Sequence, residues 1–184
     1  MSNIQKRIRM NLWQQFEKAN CEQSNPGISF RYEKGIDQGL REFYLRFSKW
    51  LRGKYVFPVH LTIYVLNQEK VRLRDGTLTY GSFRWYPKRS PRIKVPSKVE
   101  AELLEEYSLA DIYVMILSSL VHELSHYFQW VADLEQTNAV SERQANYYRF
   151  RIIDLFFDET TYNHKLFDRK ENAQDAMHSD KSAI

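Results

Sequence analysis

Two histidines stand four residues apart in the run His122-Glu123-Leu124-Ser125-His126. On a helix, that spacing puts both imidazoles on one face, about 40° apart around the axis. They can therefore share one ion. Neutral imidazole nitrogen binds zinc at about 2.0–2.1 Å, and a catalytic zinc site uses three protein ligands with a fourth position open to water. Glu123 lies beside that position, able to take a proton from the water. Cys21 is the one cysteine, which excludes an internal disulfide and a thiolate-rich zinc site. No histidine occurs between Tyr127 and Asn163, so the third ligand is expected to be a carboxylate. Glu142 is the candidate, because an antiparallel return of the next helix brings it back toward His126. Asp133 and Glu135 fall in the intervening turn, which points them away. Asn146, one helical turn after Glu142, shares its face and is placed to orient a ligand histidine.

The competing reading makes His122 and His126 hydrogen-bonded core histidines. Two histidines and a glutamate on the most apolar helix of the chain would, however, leave three polar groups needing buried partners. A metal satisfies them together.

The elements that must position these residues follow from periodicity. Ser108 and Asp111 resemble a capping box that opens a run from Leu109 to Val131 without Gly or Pro. Its stretch from Ile112 to Leu117 is apolar all round, which predicts a helix crossing the domain centre. A break near Asp133 to Asn138 leads into a second helix over about 140–157. Upstream, Ile4, Ile8, Leu12 and Phe16 recur every four residues, as do Ile36, Leu40 and Tyr44, with Phe47 extending the stripe. Residues 1–57 are thus expected to be a helical pair, broken at Ser24-Asn-Pro-Gly27 and closed near Gly53. Runs at 58–66, 77–86 and 92–95 are rich in β-branched and aromatic residues and predict a small three-stranded sheet over 58–96. Asp75-Gly76 and Pro87-Lys-Arg-Ser-Pro91 supply the turns. The expected fold class is α+β: a three-stranded sheet packed on a central active-site helix, in one domain over 1–170. Residues 171–184 read as a flexible polar tail.

At Leu120-Val-His-Glu-Leu-Ser-His126 and Glu142-Arg-Gln-Ala-Asn-Tyr-Tyr148 the chain resembles the gluzincins, zincin-clan metallopeptidases with His-Glu-x-x-His and a later Glu ligand. The second segment is similar to the Glu-x-x-Ala-Asn-x-(Phe/Tyr) stretch of ImmA/IrrE-type peptidases, and the resemblance covers roughly residues 77–150. It implies a zincin-like fold, a Zn2+ cofactor on His122, His126 and Glu142, and a peptide or protein substrate. It further implies a zinc metallopeptidase in which Glu123 accepts a proton as zinc-bound water attacks a peptide carbonyl, then returns it to the leaving amine. A further donor would stabilise the oxyanion; Tyr148 is the candidate, with Tyr147, Tyr113 and Tyr107 as alternatives. The resemblance also implies that an edge strand at Tyr80-Gly-Ser-Phe-Arg-Trp-Tyr86 takes up substrate backbone. An ordinary strand with Phe83 and Trp85 facing the core is the alternative.

Charge is distributed unevenly. Residues 1–98 carry 20 Lys/Arg against 7 Asp/Glu, and residues 99–184 carry 7 against 16. Either the halves complement each other across the fold, or the basic half faces nucleic acid or an acidic partner. The second possibility supports an alternative function: a nucleic-acid-associated or regulatory protein on a zincin scaffold with structural zinc. The start Met1-Ser-Asn-Ile-Gln-Lys-Arg is polar, and no stretch approaches the ~20 apolar residues of a membrane span. The expectation is a cytoplasmic protein without a membrane partner.

Overall fold

The computed structural model describes residues 12–160. Of the stripe Ile4, Ile8, Leu12 and Phe16, the first two lie outside these residues, as do residues 161–170 and the tail 171–184. Within them, Gln14–Phe16 is a single 3-10 turn. The chain then runs through β1 (Ile28–Tyr32), α1 (Gln38–Lys54), β2 (Leu61–Leu66) and the short strands β3 (Val71–Arg72) and β4 (Leu78–Thr79). It continues through β5 (Ser82–Tyr86), β6 (Arg89–Pro96), α2 (Ala101–Glu106), α3 (Leu109–Val131) and α4 (Asn138–Thr160). The class is α+β with a small mixed sheet.

Two expectations are corrected. The main sheet has four strands in the order β1-β2-β6-β5, not three, and β3 pairs with β4 in a separate hairpin. Residues 1–57 are not simply a helical pair, because β1 lies among them. Ile28, Phe30 and Tyr32 alternate with Ser29 and Arg31, a two-residue period confined to five positions and hidden between longer helical stripes. β1 pairs parallel with β2 and β2 parallel with β6, whereas β5 returns antiparallel along β6. Parallel pairing joins segments distant in sequence, so no hairpin turn announces it. The short helix α2 was also not anticipated.

α1 begins at Asp37, whose carboxylate accepts the Leu40 N–H at 2.9 Å and a further bond from the Tyr113 hydroxyl. α3 opens with the capping box read from the sequence: the Asp111 N–H donates to Ser108 Oγ at 3.2 Å, and the Ser108 N–H to Asp111 at 3.3 Å. It ends where Asp133 adopts φ 49°. Aspartate tolerates this left-handed conformation better than most residues, and it lets the Leu134 N–H reach back to the Gln129 carbonyl at 3.2 Å. The chain then reverses into α4, antiparallel to α3.

β6 and β5 pack on α3, and α1 lies against α3 and α4. Ile63, Val65, Ile93 and Val95 from the sheet meet Ile116, Leu117, Leu120 and Leu124 of α3 in one buried cluster. Phe128 is its aromatic hub: its ring lies 4.6 Å from Phe16, 4.8 Å from Trp13 and 5.4 Å from Phe57. The Tyr127 hydroxyl donates to the Val59 carbonyl at 2.6 Å and accepts the Val59 N–H at 3.1 Å, tying the entry of β2 to α3. Lys54–Glu159 (2.5 Å) and Lys70–Glu100 (2.8 Å) join the basic half to the acidic half. No helix among the described residues is long and apolar enough to cross a membrane. Phe128→Ala removes the hub from a site with no solvent exposure. It should cost about 3–5 kcal/mol in urea unfolding, and a loss under 1 kcal/mol would show that this cluster does not carry the core.

Candidate metal centre

α3 is buried on nearly every side, so its polar residues face either the core or a single cleft. Ser125, within the His-Glu-Leu-Ser-His run, faces the core: its hydroxyl accepts the Trp13 indole N–H at 3.0 Å and donates to the Val121 carbonyl at 3.0 Å. His122, Glu123 and His126 face a cleft of about 660 Å³ between α3, α4 and the β4–β5 segment.

The two imidazoles converge. His122 Nε2 and His126 Nε2 are 3.1 Å apart, and each lies 3.2 Å from a Glu142 carboxylate oxygen. Glu142 reaches them because the antiparallel return sets residue 142 beside residue 126. These three residues form a group able to hold a metal ion. Tetrahedral bonds of about 2.0–2.1 Å put ligand atoms roughly 3.3 Å apart, close to the separations here.

The opposite edges of both rings are tied down. Gln129 Nε2 donates to the Ser141 carbonyl at 2.9 Å and to Gln144 Oε1 at 3.0 Å, which fixes the orientation of its amide. Gln129 Oε1 therefore faces His126 Nδ1 at 2.8 Å, and the Nδ1 proton belongs there. The Ser141 hydroxyl donates to the same oxygen at 2.6 Å. Asn146 Oδ1 meets His122 Nδ1 at 3.1 Å and acts likewise. Both Nε2 atoms are then left as bare lone pairs turned toward each other and toward a carboxylate. Such an arrangement is repulsive until a cation enters it. Burial first and the neighbouring His126 second hold the His122 imidazole below its usual range, which favours its neutral form.

Glu123 occupies the strand side of the cleft. Burial pushes its carboxyl up to about 7, although the Phe83 backbone N–H bonds to it and favours the charged form. The carboxylate fits because residue 81 is glycine. A Cβ on Gly81 would stand 2.6 Å from Glu123 Oε1 and 2.8 Å from its Cγ. β5 is the edge strand of the sheet, and Phe83 packs against Tyr127 and Trp130 while Trp85 stacks on Trp130 at 6.1 Å.

Of the residues singled out from sequence, His122, His126, Glu123 and Glu142 come together, with Asn146 behind His122. Asp133 also lines the cleft but stands outside the group formed by His122, His126 and Glu142. Its left-handed backbone bends the chain back over the end of α3. The tyrosines sit elsewhere. Tyr148 is 2% exposed, with its hydroxyl accepting the Leu12 N–H at 2.8 Å. The Tyr113 hydroxyl bonds Asp37, and neither Tyr147 nor Tyr107 lines the cleft. The i,i+2 step from Asn146 to Tyr148 turns the tyrosine about 200° around α4 and into the core. Gln129 and Ser141 were missed. Gln129 was within reach, three residues after His126 on the same face; Ser141 depends on how the two helices pair. No protein-family model, curated protein or solved structure matches this chain.

Two measurements test this geometry. Gly81→Ala should cost about 1–3 kcal/mol through the clash with Glu123 and much less in a Glu123→Ala background; additive losses would rule out the contact. In chelator-treated protein, the raised Glu123 carboxyl binds a proton in the fold that the unfolded chain has released between its ordinary range and about pH 7. Its contribution to stability is therefore complete at low pH and lost as pH rises through that window. Glu123→Gln should remove this fall from urea midpoints taken between pH 5 and 8, and an unchanged slope would contradict the assignment.

Proposed function

We infer that the protein is a zinc-dependent endopeptidase of zincin-like architecture. The observation that carries this reading is the convergence of the His122 and His126 Nε2 atoms and the Glu142 carboxylate beside the buried Glu123. Structural zinc sites are closed by four protein ligands, whereas three ligands with an acid–base carboxylate at hand suit a hydrolytic site. Zinc held by His122, His126 and Glu142 would supply Lewis acidity toward water and a carbonyl oxygen.

The chain's own groups then divide the work. Glu123, with a carboxyl near neutrality, takes a proton from water and later gives it to the departing amine. The Phe83 N–H and the absence of a side chain at Gly81 keep that carboxylate against the strand. Asn146, Gln129 and Ser141 fix the imidazole tautomers so that both Nε2 lone pairs stay available. The free edge of β5 offers main-chain groups to an extended peptide, which would pass directly by Glu123. This edge favours a peptide over other hydrolysable substrates.

The test combines metal content with cleavage. Wild-type protein should hold about one zinc per chain by elemental analysis, and His126→Ala and Glu142→Ala should lose most of it. Glu123→Gln should keep zinc while its cleavage of an unfolded protein such as casein falls by about 10²-fold or more. Wild-type protein free of zinc after purification in zinc-supplemented buffer would sink the reading. So would a Glu123→Gln variant that cleaves as fast as wild type.

A further inference from the structure

The outer face of the main sheet carries a pattern that meets the cleft only at Ser82 and Arg84 of the edge strand β5. Strand register fixes which side chains share that face. One row across the sheet is Arg31, Tyr64, Lys94 and Ser82; the next is Ser29, Thr62, Arg92 and Arg84. Tyr86 lies beyond the second row on β5, past a register shift that pairs it with Arg89, and the Arg92 guanidinium is 4.9 Å from its ring centre. The opposite face is the core, where Leu61, Ile63, Val65, Ile93 and Val95 are buried. On the outer face Arg31 is exposed, and Tyr64, Arg84, Tyr86, Arg92 and Lys94 are half-buried.

The charged residues of the four strands are Arg31, Arg84, Arg89, Arg92 and Lys94, and none is acidic. Arg84 and Arg92 are direct cross-strand partners. Like charges placed opposite each other destabilise a sheet, and none of these cations makes an ion pair with a carboxylate among the described residues. Asp75 is an acid that feels Arg84. Its carboxyl is held below its usual range chiefly by the Thr77 N–H, and Arg84 is the last contribution. A face that concentrates unpaired cations at a cost to its own folding is built for an anion from outside. The anion is also extended, because the cations spread over three strands instead of converging on one point.

We propose that this outer face of the sheet binds single-stranded nucleic acid, with Arg31, Arg84, Arg92 and Lys94 on phosphates and Tyr64 and Tyr86 as stacking platforms for bases. Arg92 and Lys94 alternate along β6, about 7 Å apart at roughly 3.3 Å per residue, which suits successive backbone charges. Tyrosines interleaved with cations on an open surface distinguish this partner from an acidic peptide, which has no bases to stack. The inference does not rest on zinc or on peptidase activity: of its residues only Arg84, on the edge strand, also lines the cleft.

Fluorescence anisotropy with labelled oligo-dT and oligo-rU, on the full chain, tests it. Both should bind at about 50 mM salt, with log affinity falling by about 0.7 per phosphate contact against log salt. Arg92→Gln with Lys94→Gln should weaken binding about tenfold or more and flatten that slope by about 1.4. Tyr86→Ala should weaken binding while leaving the slope in place, the signature of lost stacking. Arg31→Gln, at an exposed position, serves if the double variant does not fold by circular dichroism. Preference for one oligonucleotide identifies the strand as DNA or RNA. The proposal fails if wild type does not bind either one, or if a duplex of equal length binds more tightly. It also fails if Arg46→Gln with Lys49→Gln on α1 costs as much as the sheet variant.

Discussion

A helix excluded from water on nearly every side cannot leave polar side chains unsatisfied, and the His-Glu-Leu-Ser-His run of α3 carries four of them: His122, Glu123, Ser125 and His126. Each is given a different solution. Ser125 turns into the core and bonds the Trp13 indole and its own helix. Glu123 leans on the backbone of the edge strand, where Gly81 leaves room for it. The two histidines face α4, which answers their Nδ1 edges with Asn146 and Ser141 and their Nε2 edges with Glu142. The pairing of α3 with α4 is therefore the constraint on which the site depends. It rests on the left-handed turn at Asp133.

That pairing satisfies the imidazoles unevenly. The outer nitrogens face neutral side-chain oxygens, whereas the inner nitrogens meet each other and a carboxylate. Low dielectric sharpens both effects. The same burial that holds the His122 imidazole below its usual range pushes the Glu123 carboxyl up to about 7. Environment has thus moved neighbouring groups in opposite directions, favouring the neutral imidazole at His122 and the protonated carboxyl at Glu123.

The sheet serves the two sides of the molecule differently. Its inner face supplies aliphatic side chains to α3, and its β5 edge borders the cleft. Its outer face carries only cationic and neutral polar groups, in a register set by parallel pairing of β1, β2 and β6. The strong basic bias of residues 1–98 resolves in part into this face and in part into ion pairs such as Lys54–Glu159 and Lys70–Glu100.

The chemistry-bearing residues could be read from the sequence because their geometry is local. A four-residue step on a helix fixes two imidazoles on one face, and the capping box at Ser108 and Asp111 is a contact three residues long. Glu142 and Asn146 also followed, since a helix that reverses must bring one turn of its successor alongside. Other features required the tertiary structure. β1 was hidden because its partner is more than thirty residues away and its period spans five positions. The Tyr148 hydroxyl, a candidate donor by spacing, is drawn instead to the Leu12 amide, 136 residues distant. Ser141 reaches His126 only because of the rotation of α4 about its axis. Gly81 gained its meaning only when Glu123 was seen against it. Sequence determines what lies within a turn or two of helix; which surfaces meet is decided by burial summed over the whole chain.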